Sequence, residues 1–210
     1  MNPENNLGIT IALAKFISIV FHPLLMPLYG LAIIFTAPTL LGYLPGEVKR
    51  ILFLIIFINN VFIPVTMLPL FKNRNLISTY TIEERRERTV PLILMSILYS
   101  ITSFIIFRYQ IPLFLKSFVF ASTFLVIFVT LVNFWWKISI HAVAAGALNA
   151  VVVMLSVKMY SQLTWYLISV ILAGGLVLSS RIKLNSHSPA QVWFGFFTGL
   201  LGLSILILLA

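Results

Sequence analysis

The stretch "SSRIKLNSHSPAQVWFGFFTG", Ser179–Gly199, ends one apolar run, inserts a short polar connection holding Arg181, Lys183 and His187, and starts another apolar run. Each run approaches the roughly 20 residues that a helix needs to cross a hydrocarbon core about 30 Å thick. Backbone polar groups inside lipid must be satisfied within the segment itself, so two such runs joined by a turn read as two membrane helices. The same pattern repeats back along the chain. Apolar runs cover Ile51–Phe71, Val90–Phe107, Pro112–Trp136, Ile138–Val157, Thr164–Ser180 and Pro189–Leu209.

The first apolar region, Leu7–Leu44, is too long for one simple span and carries "FHPLLMP" in its middle. Pro23 and Pro27 are expected to break it into a membrane-surface helix around 7–22 and a span over Leu24–Leu44, with one long kinked helix as the alternative. The predicted fold is therefore all-α: a polytopic transmembrane helical bundle of six to seven hydrophobic segments, in a single domain over residues 1–210. No basic region precedes the first apolar run, so a removed signal peptide is not expected. A bacterial inner (plasma) membrane is the expected location.

Composition narrows the function. The chain is 60% hydrophobic and 9% charged, where soluble domains carry roughly 25% charged residues. Its net charge of +9 is spread over the ends of apolar segments. That distribution suits anionic lipid headgroups and argues against nucleic acid as a partner. Cysteine is absent, which excludes disulfides, thiol catalysis and thiolate metal sites. Aspartate is absent too, which removes the aspartate-based metal clusters used by several lipid-synthesising membrane enzymes.

Alternate loops of a bundle lie on the same side, so the loop Lys72–Arg88, the junction Trp136–His141 and the loop Arg181–Ser188 share one face. They bring together His141, His187 and most of the arginines. Ionisable groups at membrane depth are costly and tend to mark sites, so this convergence defines the candidate site. Counting positive charges does not orient the bundle. The excess on this face vanishes if Arg88, Lys137 and Arg181 are kept for chemistry, leaving five against five.

Within this constellation Ser180-Arg181, five residues, His187, three residues and Gln191 resembles the third signature of the type 2 phosphatidic acid phosphatase superfamily, which ends in aspartate. "HSPAQV" is most similar to the dolichyl-diphosphatase-like branch, where glutamine stands in that position. "ISIH", Ile138–His141, resembles the second signature, Pro-Ser-Gly-His, through Ser139 and His141. "RRERTVP" resembles the first only through Arg88: Thr81 stands where the family has lysine, and Pro91 is displaced by two positions. The resemblance spans about residues 85–199.

The resemblance implies hydrolysis of a lipid phosphate, such as a polyprenyl diphosphate, with neither metal nor other cofactor. His187 would be the nucleophile that forms a phosphohistidine. His141 would protonate the leaving oxygen and then deprotonate water, and Ser139 would donate to a phosphate oxygen. Arg88 and Arg181 suit the charge spread over a transferring phosphoryl group, because planar guanidiniums pair with phosphate through two hydrogen bonds. Lys137, beside "FWW", is expected to snorkel at the interface, with at most an auxiliary phosphate-binding role. Gln191 could fix the His187 tautomer, but it lacks the negative charge that would stabilise an imidazolium.

Plainer readings stand beside these. Ser188-Pro189-Ala190-Gln191 is also a good helix start, with Gln191 reaching back to the cap. Arg85 and Arg86 are read as a solvated turn paired with Glu83, Glu84 and Glu87. His22 is read as a helix-break residue, with headgroup contact the lesser alternative. Ala142, Ala144, Ala145, Gly146 and Ala147, the Gly174-Gly175 pair and the Gly195–Gly199 pattern are read as sites of close helix approach. The alternative function is a catalytically weakened or inactive protein that binds or translocates a lipid headgroup.

Overall fold

A computed structural model of the chain describes residues 3–82 and 84–209, with side chains placed from residue 8 onward. All regular secondary structure among the described residues is helical, with no strand. The helices are α1 (Pro3–Val20), α2 (Met26–Thr36), α3 (Gly46–Phe57), α4 (Ile63–Asn73), α5 (Thr89–Phe107), α6 (Leu113–Asn133), α7 (Ile140–Met159), α8 (Thr164–Lys183) and α9 (Pro189–Leu209). Among the described residues seven helical stretches are long and apolar enough to cross a membrane, counting residues 8–36 and 46–73 as one each. The chain is an integral membrane helical bundle.

The helix ends follow local chemistry. Pro189 sits at the first position of α9, and Pro112 precedes α6. The α8–α9 turn passes through Asn185 at φ 50°, a left-handed conformation that asparagine tolerates better than most residues. The break expected in the first apolar region lies where the prolines put it, as a short 3₁₀ turn over Pro23–Leu25. The continuous span expected over Leu24–Leu44 is not formed. Helix α2 stops at Thr36, because residue 37 precedes Pro38 and is held extended at ψ 142°. Its 11 residues reach only about 16 Å.

The segment expected as one regular helix over Ile51–Phe71 is widened in its middle to a π-helical turn over Ile58–Phe62, between α3 and α4. Pro64 explains the widening, since its ring would collide with the carbonyl four residues back in a regular helix. Asn60, in that turn, accepts a hydrogen bond from the Thr102 hydroxyl of α5 at 2.9 Å.

Helix α7 is the axis of the bundle, with 61% of its span buried against 28% for α8 and α9. It crosses α9 most closely. A Cβ on Gly146 would press on the α9 backbone at Phe196 and Leu200, and one on Gly199 on the α7 backbone at Val143 and Ala147. Gly195 and Gly174 are also tight, whereas Gly175 has open space around it and takes no part in the approach. This crossing fixes the start of α7 against the start of α9, where the candidate site residues lie.

Candidate functional site at the polar end of a membrane cavity

Four of the predicted residues, Arg88, His141, Arg181 and His187, line one cavity of about 720 Å³. They come from four places: the start of α5, the first turn of α7, the last turn of α8, and the α8–α9 turn. Below this polar end the wall is apolar and includes Met95, Leu125, Val129, Leu148, Val151 and Leu203. Leu203 lies 14 residues past Pro189, so the cavity reaches about 20 Å into the bundle at 1.5 Å per helical residue. Helices α1 and α4 both border it, through Ile19 and Leu68 among others, and among the described residues they share little or no packing with each other.

The two histidines are held in defined tautomers. Oε1 of Gln191 accepts from the Ser188 backbone N–H at 3.1 Å and lies 3.2 Å from His187 Nδ1. An amide oxygen can only accept, so Nδ1 carries the hydrogen and Nε2 keeps its lone pair. Gln191 also receives the cap in return, its N–H donating to the Ser188 hydroxyl at 3.3 Å. The capping and tautomer-fixing readings of Gln191 therefore hold together. In His141, Nε2 donates to the Ser18 carbonyl at 3.2 Å, which leaves Nδ1 as the working nitrogen.

Burial, reinforced by Arg88 and Arg181, holds His187 well below the usual imidazole range, at about 4. The hydrogen bond to Gln191 opposes that shift, and Lys137 adds slightly to it. His187 is thus a neutral imidazole at pH 7 with one free nitrogen, the form a nucleophile requires. Arg88 is positioned by donating Nε–H to the Ile82 carbonyl at 2.8 Å. Ile82 lies at φ 43°, an unusual conformation for a β-branched residue. Arg181 donates Nη1–H to the Ser18 hydroxyl at 3.4 Å.

Not every expected residue reaches the cavity. Ser139 is fully buried, its hydroxyl has no hydrogen-bond partner, and it is not part of the cavity wall. It is not placed as a phosphate donor, because α9 packs over it at Gly195. Lys137 is half-buried and also off the wall, though within electrostatic range of His187. The solvated reading of Arg85 is overturned. Its guanidinium donates to the carbonyls of Asn133 and Phe134 at the end of α6, while the Asn133 amide returns a bond to the Arg85 carbonyl at 3.2 Å. Glu87 accepts from Ser78 instead, and Glu83 lies outside the described residues. Thr81, at the position of the family's lysine, does line the cavity.

One residue, Ser18, escaped the sequence reading, and another, His22, was read as a helix break with headgroup contact only as the lesser alternative. Ser18 links α1 to both Arg181 and His141. His22 lines the cavity with its ring 5.5 Å from that of His141. Their signal was a polar stripe, Lys15, Ser18 and His22, along one side of an otherwise apolar helix. Among the described residues no three His, Cys, Asp or Glu side chains gather as a metal-binding group. No family model, curated protein or solved structure matches the chain.

Proposed function

We propose that the protein is a membrane lipid phosphate phosphatase that hydrolyses a polyprenyl diphosphate or a related lipid phosphate through a phosphohistidine, in a bacterial inner (plasma) membrane. One observation carries the reading: a single cavity joins a cationic, two-histidine end to an apolar channel about 20 Å long. An amphiphile with a phosphate head and a hydrocarbon tail matches both halves.

In the proposed reaction Arg88 and Arg181 hold the equatorial oxygens of the transferring group. The Nε2 lone pair of His187 attacks phosphorus as the bond to the lipid-side oxygen breaks, and that oxygen takes the Nδ1 proton of His141. His141 enters this step as the imidazolium, with hydrogen on both ring nitrogens, and is left as the neutral Nε2–H tautomer. Water then attacks the phosphohistidine, giving its proton to His141, and inorganic phosphate leaves with the His187 ring restored. Gln191 keeps Nε2 directed to the task.

A second reading, a headgroup binder or lipid translocator without turnover, draws on the distance of Ser139 from the wall and on a neutral Gln191 behind the nucleophile. Phosphate release from a polyprenyl diphosphate by detergent-purified protein separates the two. Wild-type release that His187→Ala and His141→Ala abolish supports the enzyme. Release insensitive to both changes removes the assignment, and lipid binding without release favours the second reading.

A further inference from the structure

We propose that His22 is a third functional imidazole of this site, donating Nε2–H to an oxygen of the bound phosphate group; the inference rests on the lipid phosphate reading above. Nδ1 of His22 accepts the Leu24 backbone N–H at 3.3 Å, which caps the 3₁₀ turn at the break. A ring nitrogen that accepts has no hydrogen in the neutral tautomer, so the hydrogen sits on Nε2. The backbone turn thereby fixes a neutral donor.

Its surroundings are those of the anion site. The ring is exposed and lines the cavity, it meets the His141 ring edge-on with centroids 5.5 Å apart, and it lies within electrostatic range of Arg181. Ser18 and Lys15, one and two turns earlier on the same side of α1, line the cavity too, so this wall is polar as a unit. A transferring phosphoryl group spreads charge over three equatorial oxygens. Arg88 and Arg181 provide guanidinium donors, and His22 adds one from a different wall that makes no demand for a further positive charge. It touches substrate, whereas Ser18 acts as a positioning residue through Arg181 and His141.

Two substitutions separate this role from simple capping. In His22→Asn the side-chain oxygen can still accept the Leu24 N–H, but nothing reaches the Nε2 position. In His22→Gln an amide N–H can reach the Nε2 position while the cap is lost. With farnesyl diphosphate as the probe, His22→Asn is expected to lose about ten- to a hundredfold in kcat/KM, the range for removing one hydrogen bond to a charged group. His22→Gln should retain activity within about fivefold of wild type, and both variants should keep near-wild-type melting temperatures. The reverse order, Asn active and Gln inactive, overturns the inference and leaves His22 as a cap. A wild type that neither binds nor hydrolyses the probe removes the lipid phosphate reading, and this inference with it.

Discussion

Replacing Gly199 with alanine tests whether the α7–α9 crossing sets the geometry of the site. The added Cβ would lie 2.8 Å from the Ala147 backbone nitrogen and closer still to the Val143 carbonyl oxygen. Ordinary contacts need about 3.5 Å, so clearing the closer of the two atoms requires the helices to separate by more than about 1 Å. Both obstacles are backbone atoms, which cannot rotate aside. Overpacking of this kind costs up to about 3 kcal/mol, and the helix preference of alanine over glycine returns about 1 kcal/mol. A net loss of about 2 kcal/mol should lower the melting temperature by about 4–8 °C for a chain of this size.

The same displacement moves the start of α9, with His187 and Gln191, away from His141 on α7. Phosphate release should then fall by about 10²-fold, the usual consequence of a misplacement near 1 Å. Gly175→Ala is the matched control, since open space surrounds that position on α8. It should raise the melting temperature by about 2–4 °C. Melting curves and phosphate release on the two purified variants decide the matter. A Gly199→Ala protein as stable and active as Gly175→Ala would refute the reasoning.

Two further outcomes follow from the site. Because the His187 imidazole is held near 4 in the folded chain, against about 6.5 unfolded, unfolding takes up a proton between those values. Its contribution to stability is fully present above about pH 6.5 and lost as pH falls to about 4; melting curves should lose part of that slope in His187→Ala, and an unchanged slope would contradict the assignment. Ala147→Phe, on the apolar wall, should lower kcat/KM for a long-tailed polyprenyl diphosphate at least about tenfold more than for a short-tailed one. Equal losses on both substrates would show that the channel does not hold the tail.

Hydropathy made the membrane helices legible because span length is dictated by bilayer thickness, and the later boundaries fall within a few residues of the apolar runs. The π-helical turn at Ile58–Phe62 was not legible, since a proline signals a disturbance without specifying its form. For the site, alternate loops meeting on one face brought Arg88, His141, Arg181 and His187 to a common wall. That argument fixes which end of a helix a residue occupies and says nothing about its azimuth. Ser139 consequently turned out to be sealed beneath α9, and Arg85 found the carbonyls ending α6. A helix over residues 7–22 lying on the membrane surface would turn its stripe of Lys15, Ser18 and His22 to water, and the inward orientation of that stripe went unread for that reason.

The weakly packed flank between α1 and α4 among the described residues has a kinetic consequence for any molecule anchored by a long tail. Such a molecule would reach the polar chamber sideways, by two-dimensional diffusion, without first leaving the lipid phase. The concentration that governs turnover would then be its mole fraction among the surrounding lipids. Diluting the membrane with inert lipid would slow the reaction, while diluting the same vesicles with buffer would leave the rate per protein molecule unchanged.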